Sequence, residues 1–156
     1  MLAVALLAPV PLEHLEDGQI TCKDYGKVAF GTRAWEVFRK LDAIRNGTPV
    51  NVYIYASQNP DCDRLEVSWL GRYVNFQPAE NGRHPNPLFR PPSTHEEDRF
   101  FDLKTAYVGF WELDQLKCLL DEDRITTGSF CGYETGREYK KNFVPEGPTL
   151  VIQPSS

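Results

Sequence analysis

Five prolines, Pro78, Pro85, Pro87, Pro91 and Pro92, fall within the stretch "QPAENGRHPNPLFRPPSTHEED", residues 77–98. Proline has no N–H to donate and holds φ near one value, so no regular helix or strand can run through this stretch. A loop of this length in a compact domain is either mobile or functional. The expectation is a lid or rim, with the regular elements before and after it.

Before the loop, "MLAVALLAPV" predicts a first buried strand over Leu2 to Val10. It has the look of a leader, but it lacks a positive start and its apolar run ends at prolines. "APVPLEHLEDG" then predicts a short loop or a single helical turn. "GKVAFGT" leads into the clearest helix, "TRAWEVFRKLDAIRNG". Ala34, Trp35, Val37, Phe38, Leu41 and Ile44 recur at a spacing of three to four and predict one buried stripe. Thr32 stands where an N-cap would, its oxygen able to take a free backbone N–H. Asn46-Gly47 is a stop signal.

"TPVNVYIYAS", β-branched and aromatic on both faces, predicts a central strand. "LEVSWLGRYVNF" predicts the next one, with Val67, Trp69 and Tyr73 alternating against Glu66, Ser68 and Arg72. Gly71 marks a bulge or bend. Beyond the loop, "TAYVGFWELDQLKCLL" carries both strand and helix signals and is read as a long strand. "GPTLVIQP" predicts a closing strand. Few helices and several twisted strands give an α+β class, a small mixed β-barrel with one or two flanking helices.

The chain has 156 residues, the length of one domain spanning 1–156. Its net charge of −5 argues against a protein that coats nucleic acid through phosphates alone. From Lys23 to Arg45, however, six basic residues (Lys23, Lys27, Arg33, Arg39, Lys40, Arg45) face three acidic ones (Asp24, Glu36, Asp42), a net of +3. A local basic face on an acidic protein is compatible with that pattern, as is a mixed solvated surface. Cys22, Cys62, Cys118 and Cys131 form no C-x-x-C pair, and His14, His84 and His95 complete no zinc pattern. Free thiols in a reducing cytoplasm are expected, with no metal and no cofactor. No segment is long and apolar enough for a membrane-spanning helix, so a cytoplasmic chain without a membrane partner is expected.

No G-x-S-x-G, P-loop or paired-carboxylate motif stands out. What remains is aromatic and polar: Trp35 and Phe38 on the helix, Tyr53 and Tyr55 on one strand, Trp69 and Tyr73 on the next. Thr32, Arg33, Ser57 and Ser68 lie close to them in sequence and offer hydrogen bonds. A cleft lined by rings with a few aimed polar groups holds a planar heterocycle, including a base taken out of its stack. Trp69 is expected at such a pocket and Tyr73 in the core.

At "AFGTRAWEVFRKL", "PVNVYIYAS" and "LEVSWLGRYVNF" the chain resembles the PUA-like superfamily, above all its EVE- and ASCH-type branches. The resemblance spans residues 28–76 and, more loosely, 105–154. It implies a pseudo-barrel that binds RNA or reads a modified base in DNA or RNA. Carried onto this chain, it points to Thr32, Trp35, Tyr55, Ser57 and Trp69 as ligand contacts. Arg33, Arg72 and Arg90 would meet phosphates, on grounds of charge. Some ASCH-type members are amidohydrolases acting on acylated nucleosides, which would bring in Lys27, Thr32 and Glu66. The sequence thus leaves three readings: a module for nucleic acid that reads a modified or flipped base, a small amidohydrolase, and an acidic module or inhibitor with a protein partner.

Overall fold

The computed structural model describes residues 3–59, 64–100 and 106–155. Its centre is a curled six-stranded sheet, a half-barrel in a mixed α+β fold. The strands are β1 (Val4–Pro11), β2 (Val28–Thr32), β3 (Val50–Ser57), β5 (Trp69–Pro78), β6 (Gly109–Cys118) and β8 (Thr149–Ile152), in the spatial order β2-β6-β5-β3-β1-β8. β1 and β3 run parallel; the other neighbours are antiparallel. β4 (Glu66–Val67) and β7 (Ile125–Thr126) form a separate small ladder. Three helices, α1 (Leu12–Tyr25), α2 (Trp35–Arg45) and the short α3 (His95–Arg99), complete it.

β3 is a central strand, as its double-sided apolar pattern requires, and residues 109–118 form one long strand. The ambiguous apolar spacing there resolves because β6 is central and buried on both faces over its first half, from Gly109 to Leu113. Gly71 does sit at a bulge: Leu70 pairs with Lys117 and Arg72 with Asp114, so Gln115 and Leu116 oppose Gly71 alone. Gln115 takes a left-handed conformation to do so, φ 52°.

Three expectations need correction. The stretch after β1 is a full fourteen-residue helix, α1, closed at Gly26 in the left-handed region with its N–H on the Cys22 carbonyl. "LEVSWLGRYVNF" is two strands, broken at Ser68, whose N–H bonds to Ile54 and whose carbonyl accepts from Leu119. "VAFGT" is itself a strand, β2. Cys22, Cys118 and Cys131 are free thiols, and Cys62 lies outside the described residues. No described helix is long and apolar enough to cross a membrane.

One face of the sheet meets the helices. Leu6, Ala8 and Val10 of β1, Val52 and Ile54 of β3, Trp69 and Tyr73 of β5, and Trp111 and Leu113 of β6 pack there against Leu15, Cys22, Phe38 and Leu41. Phe38 stacks on Tyr73 and Trp111 at centroid distances of 5.6 and 5.8 Å. α2 buries only Phe38 and Leu41 fully; Trp35 and Ile44 are exposed, so the stripe is narrower than its spacing predicts. On the outer face, Leu7, Tyr53, Val67, Phe130 and Val151 form a second cluster. The remaining outer surface, over β2 and β6, lies under the proline-rich loop.

Candidate functional site

The loop is held to the sheet by two buried polar clamps. In the first, Glu112 of β6, 1% exposed, receives Lys27 Nζ at 2.9 Å, Asn75 Nδ2 at 2.9 Å and His84 Nε2 at 2.6 Å. The Asn86 backbone N–H donates to His84 Nδ1 at 2.9 Å. That leaves the proton on Nε2, so His84 donates to the carboxylate. Burial alone would push the Glu112 carboxyl up; the bonds from His84, Asn75 and Lys27 outweigh it and hold it at about 2.

In the second clamp Arg90, 2% exposed, forks onto Asp98 at 2.8 and 2.9 Å and donates to the Ala29 carbonyl of β2 at 2.9 Å. Its guanidinium lies 4.9 Å from the Phe110 ring and 5.5 Å from that of Tyr107. Such a buried fork is a structural bridge, and Arg90 is not placed to meet a phosphate at the surface. The loop therefore forms a fixed wall. Its helical pieces are single turns, Pro87–Phe89, Pro92–Thr94 and α3.

Behind that wall, at the ends of β1 and β2, lies a cleft of about 430 Å³. This is within the range of about 300–1,000 Å³ found for small-molecule pockets. Phe30 and Trp111, 5.2 Å apart and buried, together with the half-buried Tyr107, supply its rings. Tyr107 crosses directly over Gly31: a Cβ there would lie 2.5 Å from the ring, so only glycine permits the approach. Tyr107 in turn gives its hydroxyl proton to Glu97 of α3.

The polar groups stand at the edges. Thr32, 6% exposed, accepts the Ala34 N–H at 2.9 Å; this is a local turn, and the residue capping α2 is Ala34. Its own hydroxyl proton finds no acceptor among the described residues. His14, in the first turn of α1, shares a 2.8 Å bond with Ser93 of the loop. Gln58, just past β3, lines the cleft in the left-handed region at φ 53°. A residue with a Cβ rarely adopts that conformation, and such strain concentrates at ligand sites.

Of the residues singled out from sequence, Thr32 lines this cleft, and Ser57 sits beside it, paired in register with Pro11 and preceding Gln58. The others are elsewhere. Trp69 is 4% exposed in the inner core and pairs with Ile54, so Tyr55, the next residue of β3, points to the opposite face. Where Trp69 does reach an indentation, it is a separate one, beside Glu16, Arg64 and Arg124. Trp35 is 44% exposed, with the Arg39 guanidinium 5.7 Å from its ring. Arg33 is exposed next to Thr32. Arg72 forks onto Asp114 at 2.9 and 2.8 Å. Tyr73 is core, fully buried, with its hydroxyl on Asp42 at 2.9 Å.

Lys27 and Thr32 lie at opposite ends of β2, about 16 Å apart by strand rise. Lys27 is engaged with Glu112 and Glu66 with Arg124, so the three do not form one constellation. A larger groove of about 760 Å³ runs past Leu65, Thr126 and Tyr139, but it has a single ring. No group of side chains suited to a metal occurs among the described residues. No protein-family model, curated protein or solved structure matches the chain.

Proposed function

We propose that the chain is a nucleic-acid-binding module that takes a single unstacked base into the cleft between β1, β2 and the proline-rich loop. One observation carries the reading: the half-buried Tyr107 ring shares a cleft with a buried hydroxyl that has a proton to give and a glutamine held in a strained conformation, and the buried Phe30 and Trp111 reach the same lining. Rings recognise the face of a base, and fixed polar groups recognise its edge. Stacking contributes about 1–3 kcal/mol per base. The exposed Arg33 follows Thr32 at the same end of β2.

A PUA-like pseudo-barrel belongs to the same proposal. In its support, the sheet is curled, and the "YAS" step at Tyr55–Ser57 ends β3 beside the cleft.

The test is fluorescence anisotropy with labelled single-stranded and duplex oligonucleotides carrying unmodified and modified bases. Single strands should bind more tightly than the same sequence in a duplex, because extraction of a base from the duplex costs a few kcal/mol. Tyr107→Ala should weaken binding about tenfold, the equivalent of one stacking contact. Absence of binding across the panel, or equal binding by the variant, would overturn the proposal.

A further inference from the structure

Resting on the base-binding reading, we propose that the cleft selects a positively charged planar heterocycle, an N-alkylated purine cation, over its neutral parent. The charge of the lining points this way. Glu97 and Glu146 stand exposed at the mouth, and neither has a cationic partner among the described residues. Arg90 is the lysine or arginine of the lining, and Asp98 neutralises it. The lining is therefore electronegative.

The rings act in the same direction. An aromatic face carries negative charge density and attracts a cation within about 6 Å of its centre. Tyr107, half-buried, offers such a ring in a cleft with two carboxylates at its rim; Phe30 and Trp111 reach the same lining but are buried. Thr32 supplies the complementary donor: its 6% exposed hydroxyl has a proton for a carbonyl or ring nitrogen of the ligand. A neutral base would satisfy the rings and Thr32 but leave both carboxylates without a counter-charge. A cationic base of the same shape satisfies all three.

The experiment is calorimetric titration of the intact chain with two matched pairs of nucleosides at low salt: 7-methylguanosine against guanosine, and 1-methyladenosine against adenosine. The cation of each pair should bind about tenfold more tightly, in line with a cation held over a ring near opposite charge. Added salt should narrow the ratio, because the rim carboxylates are exposed. The double variant Glu97→Gln, Glu146→Gln should bring the ratio toward one; glutamine at 97 can still accept the Tyr107 hydroxyl. If the neutral parents bind as tightly as the cations, the charge selection is overturned while base binding stands. If no nucleoside binds but single strands do, the selection is again overturned. If neither binds, both readings fall.

Discussion

Replacement of Glu112 by glutamine isolates the clamp that fixes the loop. The side chain is nearly isosteric but has one carbonyl oxygen and one NH2 where the carboxylate has two acceptors, so either His84 at Oε2 or Asn75 at Oε1 loses its acceptor, and Lys27 loses its counter-charge. The carboxyl is depressed from 4.5 to about 2 in the folded chain. That depression corresponds to about 3 kcal/mol of stability at neutral pH. Because the folded value lies below the unfolded one, the contribution is complete above pH 4.5 and drains away as pH falls through about 2.

At pH 3 less than half of this should remain, so roughly 2 kcal/mol of the wild-type advantage disappears between pH 7 and pH 3. The assay is urea denaturation of wild type and Glu112→Gln across that range. The midpoint gap should be widest at neutral pH and shrink on acidification. At pH 7 the variant should also melt about 6–12 °C lower, at about 2–4 °C per kcal/mol for a chain of this size. A gap under 1 kcal/mol at pH 7, or one that does not change with pH, would refute the assignment of Glu112 as a charged anchor.

Three further substitutions test the geometry. Gly31→Ala places a methyl 2.5 Å from the Tyr107 ring, so it should displace that ring, cost about 1–3 kcal/mol and weaken oligonucleotide binding; thermal melts and anisotropy report both. Arg90→Met keeps the stem on Phe110 but strands Asp98, which should cost about 3 kcal/mol and speed proteolysis within residues 77–98. Trp69→Phe leaves a gap in the inner core and should cost about 1–3 kcal/mol in denaturation, with no loss of binding in the cleft.

The central strands were legible because their chemistry is one-sided or doubly apolar. "VYIY" and "GFWEL" have few alternatives to a buried strand, and Gly71 could only mark an irregularity. α1 was not legible because its buried positions, Leu15, Gly18, Thr21 and Cys22, form no apolar stripe. Small and polar residues let the helix lie close to β2, and their spacing carries little hydrophobic signal. Trp35 misled for the opposite reason, since it has the right period but is the first residue of α2 and stands exposed.

The site was half legible. Thr32 and the end of β3 were found because strand ends carry small polar residues beside rings. Trp111, Tyr107 and Phe30 were missed because they are distant in sequence: β2 and β6 are neighbours although Thr32 and its partner Gly109 are 77 positions apart. The signal that could have found them is "AFGT" itself, an alternating strand pattern with a glycine one residue before its polar end. Glu112 and His84 were also missed, since a lone glutamate in an apolar strand declares itself only when its donors are seen.

Base binding in the cleft is tested most directly by amide chemical-shift mapping of the ¹⁵N-labelled chain on titration with a single-stranded oligonucleotide. Shifts should concentrate at His14, Gly31, Thr32, Gln58, Tyr107 and Trp111, which line one cleft. Shifts that cluster instead around Ser68, Trp69 and Arg124, or no shifts at all, would contradict it.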